Sequence, residues 1–220
     1  MNAPSLAICA SNLDGSVPFA VALRLADGRI LGRHSTPTTR QELPAMVAAS
    51  CADGGVAAAD LRELRLDLGP GSYTGLRVAV TFVRFLQHFG ALPVLAVDSL
   101  AVLAARARGH RRVVPLLDAR RERFHVAAYA TDHGSPLREL EPAAAVPWSD
   151  VLARIGPGDV VVMPVALAAS RGAELAARAA IVATASTVLA EELFAADLPF
   201  VAATSQTLEP RYLMGSYAEP

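Results

Sequence analysis

Leu64-Arg65-Leu66-Asp67-Leu68 runs without a break into Gly69-Pro70-Gly71-Ser72-Tyr73-Thr74-Gly75-Leu76-Arg77, and the reading of this stretch decides the fold. Leucines alternating with Arg65 and Asp67 carry the period of a strand. Three glycines and a proline within seven positions then demand special backbone geometry, and a helix-like pattern follows at once. Such a loop gathers main-chain N–H groups at a helix N-terminus, where an anion or another backbone can come close. It is none of the common phosphate or nucleophile loops. G-x-G-x-x-x-G is one residue too long for the dinucleotide fingerprint, and Pro70 and Thr74 stand where a nucleophile elbow has its flanking glycines. A Walker A loop needs a lysine, and all 20 basic residues of this chain are arginine. The same absence excludes a Schiff-base mechanism.

Around this stretch lie 220 residues, enough for one large domain or two small ones. A hydrophobic content of 53% and a mean hydropathy of +0.35 supply a core, largely through alanine. The net charge of −1 gives no global basic footprint for nucleic acid. Cys9 and Cys51 have neither metal-ligand nor disulfide-framework spacing, so both are expected reduced. The first residues lack the cationic stretch of a signal peptide, and no apolar run approaches the ~18 residues of a membrane span. The expectation is a cytoplasmic protein that does not engage membranes.

Strand and helix signals alternate before and after the glycine loop. Leu6–Ala10 is a strand candidate, and Phe19–Leu25 with Arg29–Arg33 is a hairpin turned by Asp27-Gly28. Thr39 and Glu42 fit a capping box for a helix from Arg40 to about Cys51, with Leu43, Met46 and Val47 on one face. A helix from Tyr73 to Phe89, a strand from Pro93 to Val97 and a helix capped by Asp98 or Ser99 follow. Strand, hairpin, helix, strand, helix, strand implies a partly parallel sheet with an antiparallel edge, the content of an actin-like ATPase half-domain. Beyond Gly109, strands are expected at Val113–Leu117, Phe124–Tyr129 and Asp159–Met163, and helices at Leu167–Ala179 and Thr187–Ala196. Asp132–Pro147, with three prolines, reads as loop-rich.

The helix after the glycine loop has more apolar surface than one core needs. Steps of ~100° put Val78, Ala79, Val80, Phe82, Val83, Phe85, Leu86 and Phe89 on an arc of roughly 220°, where a helix packed on one side needs about 100°. The surplus meets either another helix of the same chain or a partner subunit.

The glycine nonapeptide, then Pro93-Val94-Leu95-Ala96-Val97-Asp98-Ser99-Leu100, Asp118-Ala119-Arg120-Arg121 and the near-terminal Pro210-Arg211-Tyr212-Leu213, resemble in order the blocks of the bacterial TsaB (YeaZ) family. The resemblance spans most of the chain, and the nonapeptide is its specific part. It implies an α/β protein of the actin-like ATPase (ASKHA, ribonuclease H-like) fold, with two small lobes of mixed sheets flanked by helices, here 1–105 and 106–220. It implies a non-catalytic subunit that partners a TsaD-like enzyme and, with a TsaE-like ATPase, supports threonylcarbamoylation of the adenosine beside the anticodon in tRNAs reading codons that begin with A. The group transferred is made by a TsaC-type enzyme. tRNA would be met indirectly through the complex, ATP or ADP would bind only there, and the chain alone would form a homodimer. The pairing helices would be Arg40–Cys51 and Tyr73–Phe89, giving an interface of Leu43, Met46, Val47, Val78, Phe82, Phe85, Leu86 and Phe89.

The first strand departs from the family. Cys9 stands where an acidic residue would orient Mg²⁺ and water at a nucleotide phosphate. That weighs against the alternative class, a nucleotide-dependent kinase or ATPase of the actin-like superfamily. A peptidase is opposed by the histidines, because no two of His34, His88, His110, His125 and His133 are three or four apart. His125 and His133 read as surface residues, and no metal site is expected. Within the loop set Gly69, Gly71, Ser72, Thr74, Gly75 and Arg77, the hydroxyls lack an evident base. Capping with close packing, anion contact and catalysis remain the alternatives, in that order. Seven arginines between Arg106 and Arg123 form a basic run, either a solvated face or a contact to tRNA phosphates, without the interleaved aromatics of a base-stacking platform.

Overall fold

The alternation of Leu64–Leu68 becomes β4 (Glu63–Asp67), with Leu64 and Leu66 in a core and Arg65 and Asp67 on the opposite sheet face. The structure, a computed structural model, describes residues 3–12, 17–36, 42–131, 135–178, 180–185 and 188–213. β4 pairs in parallel with β1 (Ser5–Cys9) and β5 (Val94–Val97). β2 (Ala20–Arg24) and β3 (Ile30–His34) form the antiparallel hairpin at one edge, turned at Gly28 with φ +90° and tied by Leu25 N–H to the Arg29 carbonyl at 2.8 Å. β11 (Val201–Ala203) closes the other edge, giving the order β11-β5-β4-β1-β2-β3.

One face of this sheet carries α1 (Leu43–Gly54) and α2 (Tyr73–Gly90), whose Met46, Val47, Ala79, Val80 and Val83 pack with Leu6, Ile8, Leu23 and Leu64. α1 begins later than read. Glu42 takes the N-cap position without a side-chain cap bond, and Pro44 sits in the first turn, where its missing N–H costs nothing. Thr39 and Arg40 lie outside the described residues. Gly55, left-handed at φ +63°, ends the helix. On the opposite face lies a short 3₁₀ stretch, Ala190–Phe194, where a longer helix was expected. Its Phe194 ring stacks under Arg24 (4.8 Å) and Arg65 (5.4 Å).

α3 (Ser99–Ala104) leads into a second sheet. β6 (Val113–Arg120) and β7 (Arg123–Ala130) form a hairpin, β8 (Arg138–Pro147) pairs antiparallel with β7, and β9 (Val160–Pro164) and β10 (Ile181–Ala185) extend the other side in parallel, in the order β10-β9-β6-β7-β8. α4 (Trp148–Arg154) and α5 (Val165–Ala176) bring Val151, Leu167 and Leu175 onto Val114, Leu116, Val126 and Val161. β8 corrects the loop-rich reading of Asp132–Pro147. It is an edge strand, and its register slips between Val126 and Ala128 of β7, so that Pro142 falls in the slip and need not donate to the ladder.

Two compact units result: Met1–Ser99 with Thr187–Ala195 and Phe200–Arg211, and Leu100–Ser186 with Ala196–Pro199 and Tyr212–Pro220. A single break near residue 105 is therefore too simple. The chain returns to the first unit to add β11 and to bury Leu208 in its core.

Candidate functional site

The glycine loop joins β4 to α2 and lies against the end of β1. Ser72 N–H donates to the Ser11 carbonyl at 2.9 Å, the Ser72 hydroxyl accepts from Gly75 N–H at 3.2 Å, and Leu76 N–H donates to the Ser72 carbonyl at 2.9 Å. A Cβ on Gly71 would stand 2.1 Å from the Ser11 carbonyl oxygen, and one on Gly75 2.4 Å from that of Ala10. Both neighbours are backbone, so these glycines serve close packing of loop on strand. The N–H groups of Ser72, Gly75 and Leu76 are engaged within the chain rather than aimed at an anion. Thr74 and Arg77 are exposed, the Arg77 guanidinium lying 4.3 Å over the Tyr73 ring. Below the loop, Gly69 has φ +95° and its carbonyl accepts from Ser99 N–H at 2.8 Å. Arg211 N–H reaches the Leu68 carbonyl at 2.7 Å, and its guanidinium pairs with Asp98. The near-terminal motif thus ties down the base of the loop, and Asp98 is an ion-pair partner where a helix cap was read.

Sequence reasoning missed Asp67. Its carboxylate is wholly buried and accepts from Ala10 N–H at 3.1 Å, the Ser99 hydroxyl at 2.9 Å and the Cys9 thiol at 3.3 Å. Burial raises its pKa against the pull of these donors. Burial, then the neighbouring carboxylate, pushes the Cys9 thiol well above its ordinary range. An acid absent from β1 is therefore present one strand away. It is fully hydrogen-bonded and acts as a pin between β1, β4 and the start of α3. Beside it Asn12 clasps Val188, accepting from its N–H at 2.8 Å and donating to its carbonyl at 3.0 Å. The signal was hidden because Asp67 occupies the alternate positions of β4, which read as solvent-facing until Ala190–Phe194 covers that side.

α2 shows three faces. Leu76, Ala79, Val80 and Val83 are buried, Phe82 and Leu86 are half-buried against the first core, and Val78, Phe85 and Phe89 are 41%, 56% and 73% exposed. Positions 78, 82, 85 and 89 follow a 4-3-4 spacing, one line along the helix. The Phe85 and Phe89 rings lie 4.6 Å apart. The polar flank is occupied, Arg84 facing Glu209 at 3.8 Å and Gln87 donating to the Ala203 carbonyl at 3.0 Å. α1 differs from the reading: Leu43, Met46 and Val47 are buried in the core of their own unit, so the apolar surface left open belongs to α2.

Among the described residues no group of His, Cys, Asp or Glu is arranged to hold a metal ion. His125 is buried on β7 opposite Leu117 and Ala145, not on the surface, and its Nδ1 has no hydrogen-bond partner. Burial lowers its pKa to about 4, with Asp118 opposing. His133 lies outside the described residues.

Comparison with known proteins follows the same lines. A family model described as "TsaD: tRNA N6-adenosine threonylcarbamoyltransferase" matches residues 33–145, just over half of the chain. The chain is similar to the tRNA threonylcarbamoyladenosine biosynthesis protein TsaB of Bacillus subtilis (strain 168), 36% identical over 101 residues, or 46% of this chain and 44% of that protein. It is 32% identical over 97 residues to TsaB of Escherichia coli (strain K12), 43% of this chain and 42% of that protein. These matches span less than half the length of both relatives. A solved structure, YeaZ from Pseudomonas aeruginosa, superposes with a TM-score of 0.74 at 26% identity, covering 96% of this chain and all of that one. The two mixed sheets flanked by helices are the fold that the chain shares with that YeaZ structure.

Proposed function

Because the chain belongs to the TsaB (YeaZ) family, we propose that it is a non-catalytic subunit of a tRNA threonylcarbamoyltransferase complex, pairing with a TsaD-like catalytic subunit and holding it in its active arrangement. The observation that carries this reading is the open line Val78, Phe85 and Phe89 on α2, with Phe82 half-buried between them, continuous with a helix already packed on its own core. Its occupant is a matching apolar helix of the TsaD-like subunit, and in that subunit's absence a second copy of this chain. Burying ~400 Å² there is worth on the order of 10 kcal/mol before association costs. A TsaE-like ATPase joins the same assembly, that assembly binds the tRNA, and ATP or ADP binds only at the joint complex. The work is cytoplasmic; among the described residues no helix is long and apolar enough to cross a membrane.

Phe85 and Phe89 are the residues to change, since Phe82 also packs on the core. Phe85→Asp with Phe89→Asp weakens self-association and co-purification with the TsaD homologue by on the order of 100-fold while the chain stays folded by circular dichroism. Modification of tRNA by the reconstituted enzymes falls with it. Wild-type association by light scattering in the doubly substituted chain overturns the reading.

A further inference from the structure

The tip of the β6–β7 hairpin breaks two local rules at once. Arg120 and Arg123 are the last paired residues, so Arg121 and Glu122 form a two-residue loop. Arg120, Arg121 and Glu122 take φ of +66°, +52° and +57°, three successive left-handed residues, none of them glycine. Loops of this length ordinarily place Asn-Gly or Asp-Gly there, because a Cβ clashes in that region. The closing pair Arg120–Arg123 also sets like charges directly across the ladder. Both features cost stability, and relief is a single substitution away at each position. Backbone strain of this kind, held at an exposed tip, points to side chains kept for a purpose.

The carboxylates around the tip are engaged within the chain. The Asp118 carboxylate accepts from Arg120 N–H at 2.7 Å, Glu122 faces Arg171 at 3.5 Å, and Glu174 accepts from Trp148 Nε1–H at 2.8 Å. Arg120 and Arg121 are exposed. The fold also supplies the aromatic surface that the basic run lacks in sequence: Trp148, half-buried, carries the Arg171 guanidinium 5.0 Å over its ring. Guanidinia on a tight two-residue turn beside an arginine–tryptophan stack suit a phosphodiester backbone with a base alongside.

We propose that the β6–β7 tip is a direct RNA contact of this chain, Arg120 and Arg121 meeting backbone phosphates of the tRNA. The proposal deepens the reading of a tRNA-modification subunit and rests on it. The test is titration of fluorescently labelled unmodified tRNA with the full chain across a salt series. Arg120→Asn with Arg121→Asn removes both charges, and asparagine is at ease in the left-handed region, so the fold is spared. The expected result is roughly ten-fold weaker binding at low salt, a salt slope shallower by about 1.5, and a melting temperature higher by about 2–4 °C. Arg120→Lys with Arg121→Lys keeps binding. Equal affinity of wild type and the asparagine variant, or no salt-dependent binding by wild type, overturns the proposal. So does a variant that loses the TsaD-like subunit while keeping tRNA, which would make the tip a protein contact. The family-based reading fails separately, when tRNA modification proceeds unchanged without this chain.

Discussion

Gly71 and Gly172 are both glycines in this chain, yet opposite outcomes follow from replacing them. An alanine Cβ at Gly71 meets the Ser11 carbonyl oxygen and Cα at 2.1 and 2.6 Å, atoms that belong to the backbone of a packed strand end. Gly71→Ala is expected to cost about 3 kcal/mol or more, read as a lower denaturation midpoint. Gly172 sits within α5, and the nearest atom to its added Cβ is Val182 Cγ1 at 3.9 Å. Gly172→Ala should raise stability by about 0.5–1 kcal/mol through the unfolded chain. His125 gives the pH dependence. Its pKa in the folded chain is about 4 against 6.5 unperturbed, so the unfolded chain binds the extra proton first as pH falls. Its contribution is complete above about pH 6.5 and is lost toward pH 4, about 3 kcal/mol in all and about 2 kcal/mol by pH 5. Urea titrations at pH 7 and pH 5 check this: His125→Leu should remove that part of the difference, and an unchanged difference would count against it. The close approach at the glycine loop was legible beforehand, whereas the burial of His125 was not. A lone histidine within Phe124–Tyr129 carries no mark of which sheet face will be covered, and Asp67 went unnoticed for the same reason.

At the scale of elements, local chemistry was readable wherever one residue type enforces one geometry. Asp27-Gly28 made the hairpin, Gly55 stopped α1, and the loop from Gly69 to Gly75 opened α2 with Ser72 as its cap. The surplus apolar arc of α2 was legible from spacing alone, and the structure leaves its outer line open. What spacing could not show is which helix shields the rest, and α1 proves to bury Leu43, Met46 and Val47 in its own unit. β8 escaped because three prolines outweigh alternation in any local reading, whereas Pro136 precedes the strand, Pro142 falls in the register slip and Pro147 ends it. β10 and β11 escaped because short alanine-rich segments fit helix and strand alike; pairing with β9 and β5 decides them.

The molecule as a whole is less separable than its sequence order suggests. β11, Leu208 and Arg211 come from the last part of the described chain, yet they complete the sheet, the core and the glycine-loop base of the first unit. Removing the chain from Phe200 onward should therefore loosen β5 and the base of α2 while sparing β6–β9. Hydrogen exchange resolved by segment is the measurement, and equal loss of protection in both units would contradict it.

That return has a consequence for biosynthesis. Leu208 and Arg211 emerge from the ribosome more than a hundred residues after β5, so the leading lobe stays unlocked across that interval, with its edge strand open. Its final closure waits for that late segment. Chaperone dependence and nascent-chain aggregation should track that interval rather than the intrinsic speed of the early hairpin.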